Sequence, residues 1–173
     1  MGTDEEAEFR AFVAGRSLAL WRQAYVMCGD RHLAEDLVQM TLAKVYSRWR
    51  RIRQRGAVEA YTRKVLTRMC LGQLRSRGRR REDVSADPPD RGAAGGPQVE
   101  ERMVLMDALR ALAPRQRAVL VLRFWEDLSV EETAAVMGCA AGTVKSQSAR
   151  GLVRLREVLG ATEELLLVGK GTR

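Results

Sequence analysis

At 173 residues, 46% hydrophobic and 30% charged, with aromatics at only 5% and an apolar stock of mostly Leu, Val and Ala, the chain can fold and favours helices over a β-sandwich. Its net charge of +8 is concentrated, since residues 48–81 carry 13 basic side chains and one acidic, the footprint of a phosphate-binding surface. No apolar run nears the roughly 20 residues that cross a bilayer, and the start Asp4-Glu5-Glu6-Ala7-Glu8 is acidic where a signal peptide is basic, so a cytoplasmic chain without a membrane partner is expected.

In chain order, Glu5 to Val26 places Phe9, Phe12, Val13, Leu20 and Ala24 at helical spacing, and Gly29-Asp30 reads as a turn. A second helix is expected from about Arg31 to Trp49. Leu33, Leu37, Met40, Val45 and Trp49 fall near one stripe of it, and Glu35, Asp36, Gln39 and Lys44 lie elsewhere. A third, from about Ala57 to Arg77, is expected to bury Tyr61, Val65, Leu66, Met69 and Leu74 and to keep Arg63, Lys64, Arg68, Arg75 and Arg77 outside. Residues 1–81 thus form a first small helical domain. Residues 82–98 hold three of the four prolines and read as a flexible, acidic linker. Such a linker spans about 22 Å on average, enough to hold two domains apart.

The second domain, 99–160, opens with apolar positions Val99, Met103, Met106, Leu109 and Leu112. Pro114 suits the first turn of the next helix, whose core candidates are Val119, Leu120, Leu122 and Phe124. Ser129-Val130-Glu131-Glu132 is a capping box that starts a short helix to about Met137, Gly138-Cys139-Ala140 is a turn, and a last helix follows from Ala141 to about Leu159, leaving 161–173 as a tail. This is the spacing of a helix-turn-helix. On the last helix Val144, Ser148, Gly151, Leu152 and Leu155 form a packing stripe, and Thr143, Ser146, Ala149, Arg150 and Arg154 an outward one. Arg150 suits bidentate readout of a guanine, Thr143 and Ser146 a base or phosphate, Ala149 a thymine methyl, and Lys145 and Arg154 phosphates. Short helix pairs with a Gly turn also occur in bundles that bind nothing. The fold class is therefore all-α, two small helical domains on a flexible linker, the second ending in a helix-turn-helix.

One histidine, His32, and three cysteines without C-x-x-C spacing, Cys28, Cys70 and Cys139, give no metal site; the cysteines read as small buried hydrophobes. No catalytic residue and no cofactor is expected. The plainer reading of 48–81 is a solvated Arg-rich face, in a chain with 26 Arg against 4 Lys.

The run Leu112-Ala113-Pro114-Arg115-Gln116-Arg117-Ala118-Val119-Leu120, with Glu126-Asp127-Leu128-Ser129-Val130-Glu131-Glu132-Thr133-Ala134 and Gly142-Thr143-Val144-Lys145-Ser146, resembles region four of bacterial sigma factors. Ala34-Glu35-Asp36-Leu37-Val38-Gln39-Met40-Thr41-Leu42-Ala43-Lys44-Val45-Tyr46 resembles their region two, and the pair in this order resembles the extracytoplasmic-function type. The resemblance implies a transcription-initiation factor that is not an enzyme and is a monomer when free. Its partners would be promoter DNA, core RNA polymerase through the β′ clamp helices and the β flap, and an anti-sigma factor. Polymerase contacts would fall on Glu35, Asp36, Leu37 and Gln39. Minus-ten DNA would fall on Tyr61, Arg63, Lys64, Arg68, Arg75 and Arg77, and the minus-thirty-five element on Thr143, Lys145, Ser146, Ala149, Arg150 and Arg154. Ala140 stands where relatives carry a capping Ser, so either a later helix start or a helix ordered mainly by DNA is expected. Two rivals stay open on the residues alone: a dimeric regulator on a palindrome, and a nucleic-acid enzyme such as a recombinase or nuclease.

Overall fold

A computed structural model describes residues 3–54, 56–81 and 97–170. No strand occurs among them, in keeping with the expected all-α class. The linker expected over 82–98 lies, up to residue 96, outside the described residues.

Helix α1 spans Thr3–Cys28 and stops at Gly29, whose φ of 73° is a left-handed conformation that glycine adopts without a Cβ clash. Asp30 then caps α2, Arg31–Tyr46, its carboxylate accepting the Leu33 amide at 2.9 Å. Ser47 closes α2 earlier than expected. Trp49 instead opens a separate short helix, α3, Trp49–Arg53, which buries Trp49 and Ile52. Helix α4 follows as Val58–Arg81. Trp49, Ile52 and Val45 gather Phe9, Phe12, Val58 and Tyr61 into a small aromatic cluster, with the Phe9 and Trp49 rings edge to face at 5.1 Å. Tyr61 is therefore half-buried packing for this cluster.

Helix α5, Pro97–Arg110, leads to α6, Pro114–Leu120, with Pro114 in the first turn. A π-helical turn, Val121–Trp125, continues it, closed by the Glu126 amide on the Val121 carbonyl at 3.0 Å. The wider turn rotates the chain after Leu122. Val121 and Leu122 stay buried, but Phe124, expected in the core, is 61% exposed. Ser129 and Glu132 then complete the expected capping box reciprocally, at 3.0 and 2.8 Å, and α7 runs Val130–Met137 to a left-handed Gly138. Helix α8, Ala141–Lys170, starts directly after Ala140 without a side-chain cap, the Ala140 carbonyl accepting the amides of Thr143 and Val144 at 3.0 and 3.2 Å. It also continues through residues 161–170, where the sequence leads one to expect a tail.

The helices do not form two separated heads. One buried cluster takes Ala24, Met27, Leu37, Leu66 and Cys70 from the first half together with Leu109, Val119, Leu122, Met137 and Val144 from the second. Cys28 and Cys70 are buried as expected, whereas Cys139 is only partly covered.

Candidate polymerase and nucleic-acid interfaces

Helix α2 sorts its polar side chains as amphipathic periodicity requires, leaving Glu35, Asp36 and Gln39 exposed. Leu37, expected among the polymerase contacts, has 0% exposure and sits inside the common core. Its function there is to anchor the helix whose polar face the neighbouring residues present. Met40, placed by its spacing near the apolar stripe, is 47% exposed and extends the outward face instead. Arg31 and Glu35 pair across one turn at 3.5 Å. Asp36 makes no such pair among the described residues.

The basic stretch is partly neutralised within the fold. Glu5 and Glu8 of α1 face Arg53 at 3.6 and 2.6 Å, and Glu59 faces Arg16 at 3.0 Å. Arg77 of α4 donates to Asp30 at 2.8 Å. Partial burial raises the Asp30 carboxyl, but the Leu33 amide and Arg77 outweigh it and hold the group below the usual carboxylate range. Arg63 donates through Nε to Glu126 at 3.2 Å. That leaves Arg48, Arg51, Lys64, Arg68 and Arg75 with no carboxylate partner among the described residues. A cleft of about 240 Å³ between Glu5, Tyr46 and Arg48 to Arg51 opens beside the first two of these, Arg48 and Arg51. Of the six minus-ten candidates, then, Tyr61 packs, Arg63 and Arg77 are ion-paired, and Lys64, Arg68 and Arg75 are unengaged by acids.

On α8 the two stripes separate as the spacing predicts. Val144 and Gly151 are buried and Ser148, Leu152 and Leu155 half-buried, while Lys145, Ser146, Ala149, Arg150 and Arg154 are exposed and Thr143 partly so. Gly151 lets α8 pack closely on α6, since a Cβ there would come within 3.2 Å of the Leu120 side chain. The Ser146 hydroxyl donates to the Thr143 carbonyl at 3.0 Å, and Arg154 pairs with Glu157 at 3.1 Å. Arg150 makes no ion pair among the described residues and is free to reach outward. The capping box at Ser129 and the left-handed Gly138 together fix the angle at which α8 leaves α7. The Ser129 amide and hydroxyl hold the Glu132 carboxyl below its ordinary range. Among the described residues no group of His, Cys, Asp and Glu could hold a metal ion.

Three residues that sequence reasoning missed hold this arrangement. Arg117, in the middle of α6 and 5% exposed, donates to the carbonyls of Met27, Arg110 and Leu112 at 2.9, 2.9 and 3.3 Å. Burial pushes its guanidinium below the usual arginine range. Arg110 donates to the Gly29 carbonyl at 2.5 Å, and Glu126 takes Arg63. The signal for Arg117 was available: it directly precedes the apolar run Ala118 to Leu122, and a charge against so apolar a helix must find buried acceptors.

Comparison with known proteins agrees with this geometry. Residues 16–80 match the family described as Sigma-70 region 2, and residues 102–155 that described as Sigma-70, region 4. The RNA polymerase sigma-E factor of Streptomyces coelicolor is 41% identical over 159 residues, covering 92% of this chain and 90% of that one. The sigma-E factor of Streptomyces avermitilis is 42% identical over 161 residues, covering 92% and 89%. The sigma factor RpoE of Bartonella quintana, solved in complex with the anti-sigma factor NepR, superposes with a TM-score of 0.69 at 28% identity, covering 88% of this chain and 97% of that one. The chain belongs to the sigma-70 family of bacterial RNA polymerase sigma factors, of the extracytoplasmic-function type that carries regions two and four, and is a promoter-recognising transcription-initiation factor.

Proposed function

We propose that this sigma factor docks on core polymerase and reads promoter DNA through four separate surfaces. Residues 1–81 act as region two and 99–160 as region four, joined by the linker between them. The polar face of α2, through Glu35, Asp36 and Gln39, docks on the clamp helices of the polymerase β′ subunit, and region four rests on the β flap. The α4 side chains Arg63, Lys64, Arg68, Arg75 and Arg77, with Tyr61 beside them, take the minus-ten element as it opens. The outward stripe of α8 reads the minus-thirty-five element: Arg150 grips a guanine, Thr143, Ser146 and Ala149 lie along the base edges, and Lys145 and Arg154 hold phosphates. The chain acts by binding and not by covalent catalysis. An anti-sigma partner is proposed on the likeness to the Bartonella RpoE, which was solved with one.

The observation that carries this reading is the sorting of α8 behind its capped turn: Val144 and Gly151 are buried, and Lys145, Ser146, Ala149, Arg150 and Arg154 are all exposed on a rigidly set helix. Selection on a randomised upstream element, with holoenzyme carrying either Arg150→Ala or Lys145→Ala, tests it. Arg150→Ala is expected to relax preference at one or two positions, a loss of about 1–3 kcal/mol of discrimination, while Lys145→Ala weakens all sequences alike. An unaltered base preference with Arg150→Ala would show that α8 docks in another orientation.

A further inference from the structure

We propose that the cleft at the corner of α2 and α3 binds a small phosphate monoester carried on a planar ring, the chemistry of a free nucleoside monophosphate. None of the residues lining it belongs to the polymerase or promoter surfaces proposed above, and the site stands whether or not those assignments hold.

The corner itself makes the cleft. Ser47 closes α2, its amide on the Ala43 carbonyl at 3.1 Å and its hydroxyl donating to the Lys44 carbonyl at 2.9 Å. Helix α3 starts again at Trp49, so Arg48, with φ −120° and ψ 8°, turns the chain between the two helices. At this turn opens the cleft of about 240 Å³, lined by Tyr46, Arg48, Trp49, Arg50, Arg51 and Glu5. Its size lies just under the roughly 300–1,000 Å³ of pockets for drug-sized ligands, which suits a single nucleotide.

Charge selects the anionic group. Glu5, the carboxylate in the lining, is already shared between Arg53 at 3.6 Å and Arg50 at 3.8 Å. Arg48 and Arg51 have no carboxylate partner among the described residues. Three guanidinium groups against one carboxylate leave the lining with an excess of two positive charges. A phosphate monoester carries close to two negative charges at neutral pH, whereas each diester phosphate of a strand carries one. Guanidinium forks match phosphate oxygens bidentately, so Arg48 and Arg51 are suited to the three free oxygens that a monoester offers and a diester does not.

The walls select a ring. Tyr46 is 43% exposed, and Phe9 braces its ring edge on at 4.9 Å while standing against Trp49 at 5.1 Å. A base laid on Tyr46 therefore meets a face that is already held in place, and stacking on such a face adds affinity that a bare anion lacks. Trp49 is 4% exposed and lines the same cleft, and its Nε1 donor is buried without an acceptor. Native folds rarely leave such a donor unmet, and a ligand seated in the cleft can supply its acceptor.

The test titrates the full chain calorimetrically, at low salt, with adenosine and guanosine 5′-monophosphates. Inorganic phosphate, adenosine and a single-stranded oligonucleotide without a terminal phosphate serve as comparisons. One monophosphate is expected per chain, with inorganic phosphate about tenfold weaker for want of stacking and adenosine unbound. Arg48→Gln with Arg51→Gln should weaken the monophosphate at least tenfold. Arg102→Gln with Arg115→Gln, the same loss of charge at exposed sites elsewhere, should leave it unchanged. Tyr46→Leu should close the gap between nucleotide and phosphate. Of the three tryptophan indole N–H signals in a nitrogen–proton correlation spectrum, the one lost in Trp49→Phe should be the one that moves on binding. No binding of either monophosphate, binding that survives the Arg48 and Arg51 changes, or a still Trp49 signal overturns the site. Inorganic phosphate bound as tightly as the nucleotides overturns the ring. An oligonucleotide that displaces the monophosphate as effectively as the monophosphate itself overturns the monoester and gives the cleft to a strand.

Discussion

Leu37 and Asp36 are neighbours in sequence whose substitutions should separate stability from polymerase binding. Leu37 is fully buried in the cluster shared by both halves, with Ala24, Leu66 and Cys70 in the same core. Leu37→Ala deletes three carbon atoms from a site that rigid helices prevent from collapsing, which costs about 3 kcal/mol and lowers the melting temperature by about 6–12 °C. Asp36 is exposed, so Asp36→Arg should shift stability by no more than about 0.5 kcal/mol. If the α2 face docks on the polymerase, the same change should weaken binding to core by at least tenfold, about 1.4 kcal/mol. Thermal melts by circular dichroism and a core-polymerase titration at a temperature where both variants are folded read the two effects. A Leu37→Ala protein that melts like the wild type but no longer binds core would make Leu37 a polymerase contact and not an anchor of α2.

Other consequences are more local. Gly151→Val should force α8 away from Leu120 and Gln116, destabilising the second half by about 1–3 kcal/mol and weakening duplex DNA binding along with it, as a melt and a band-shift assay would show. Lys64→Ala with Arg75→Ala should flatten the salt dependence of holoenzyme binding to a premelted promoter by about 1.4 in log–log slope, two phosphates at about 0.7 each; an unchanged slope removes both residues from the interface. The Asp30 carboxyl is held low by its cap and by Arg77, so its contribution is fully present above about pH 4, the range in which an unfolded Asp titrates, and is lost as pH falls through the lower folded value. The stability gap between wild type and Asp30→Asn should accordingly be constant near neutrality and narrow on acidification, which urea melts across pH would reveal.

Local chemistry made much of this molecule readable in advance. The Ser129 to Glu132 box, Pro114 and Gly138 each act within one turn of their own position, and the helices they bound lie close to expectation. The two stripes of α8 were legible for the same reason, since burial of Val144 and Gly151 fixes by geometry which side chains face out. Effects that depend on register or on distant partners were not. The π-helical turn at Val121–Trp125 adds a residue without a composition signature, and so turns Phe124 out of the core. Leu37 shows the two kinds of reasoning in conflict: the apolar stripe places it inside, family resemblance places it on the polymerase, and the packing sides with the stripe. The joining of the halves rests on the apolar core they share and on Arg63 with Glu126, Arg117 with Met27 and Arg110 with Gly29, pairs 63, 90 and 81 residues apart that no local pattern encodes.

The central claim, that this chain confers promoter-specific initiation on core polymerase, is most directly tested by a reconstituted run-off assay. Core enzyme lacking any other sigma factor would be mixed with the purified chain and a library of duplex promoter fragments, and the transcripts sequenced from their 5′ ends. Transcripts should start at a fixed distance from a shared pair of upstream elements, only when the chain is present, and should be lost with Asp36→Arg. Transcription that is independent of the chain, or chain-dependent starts that share no upstream elements, would contradict the account.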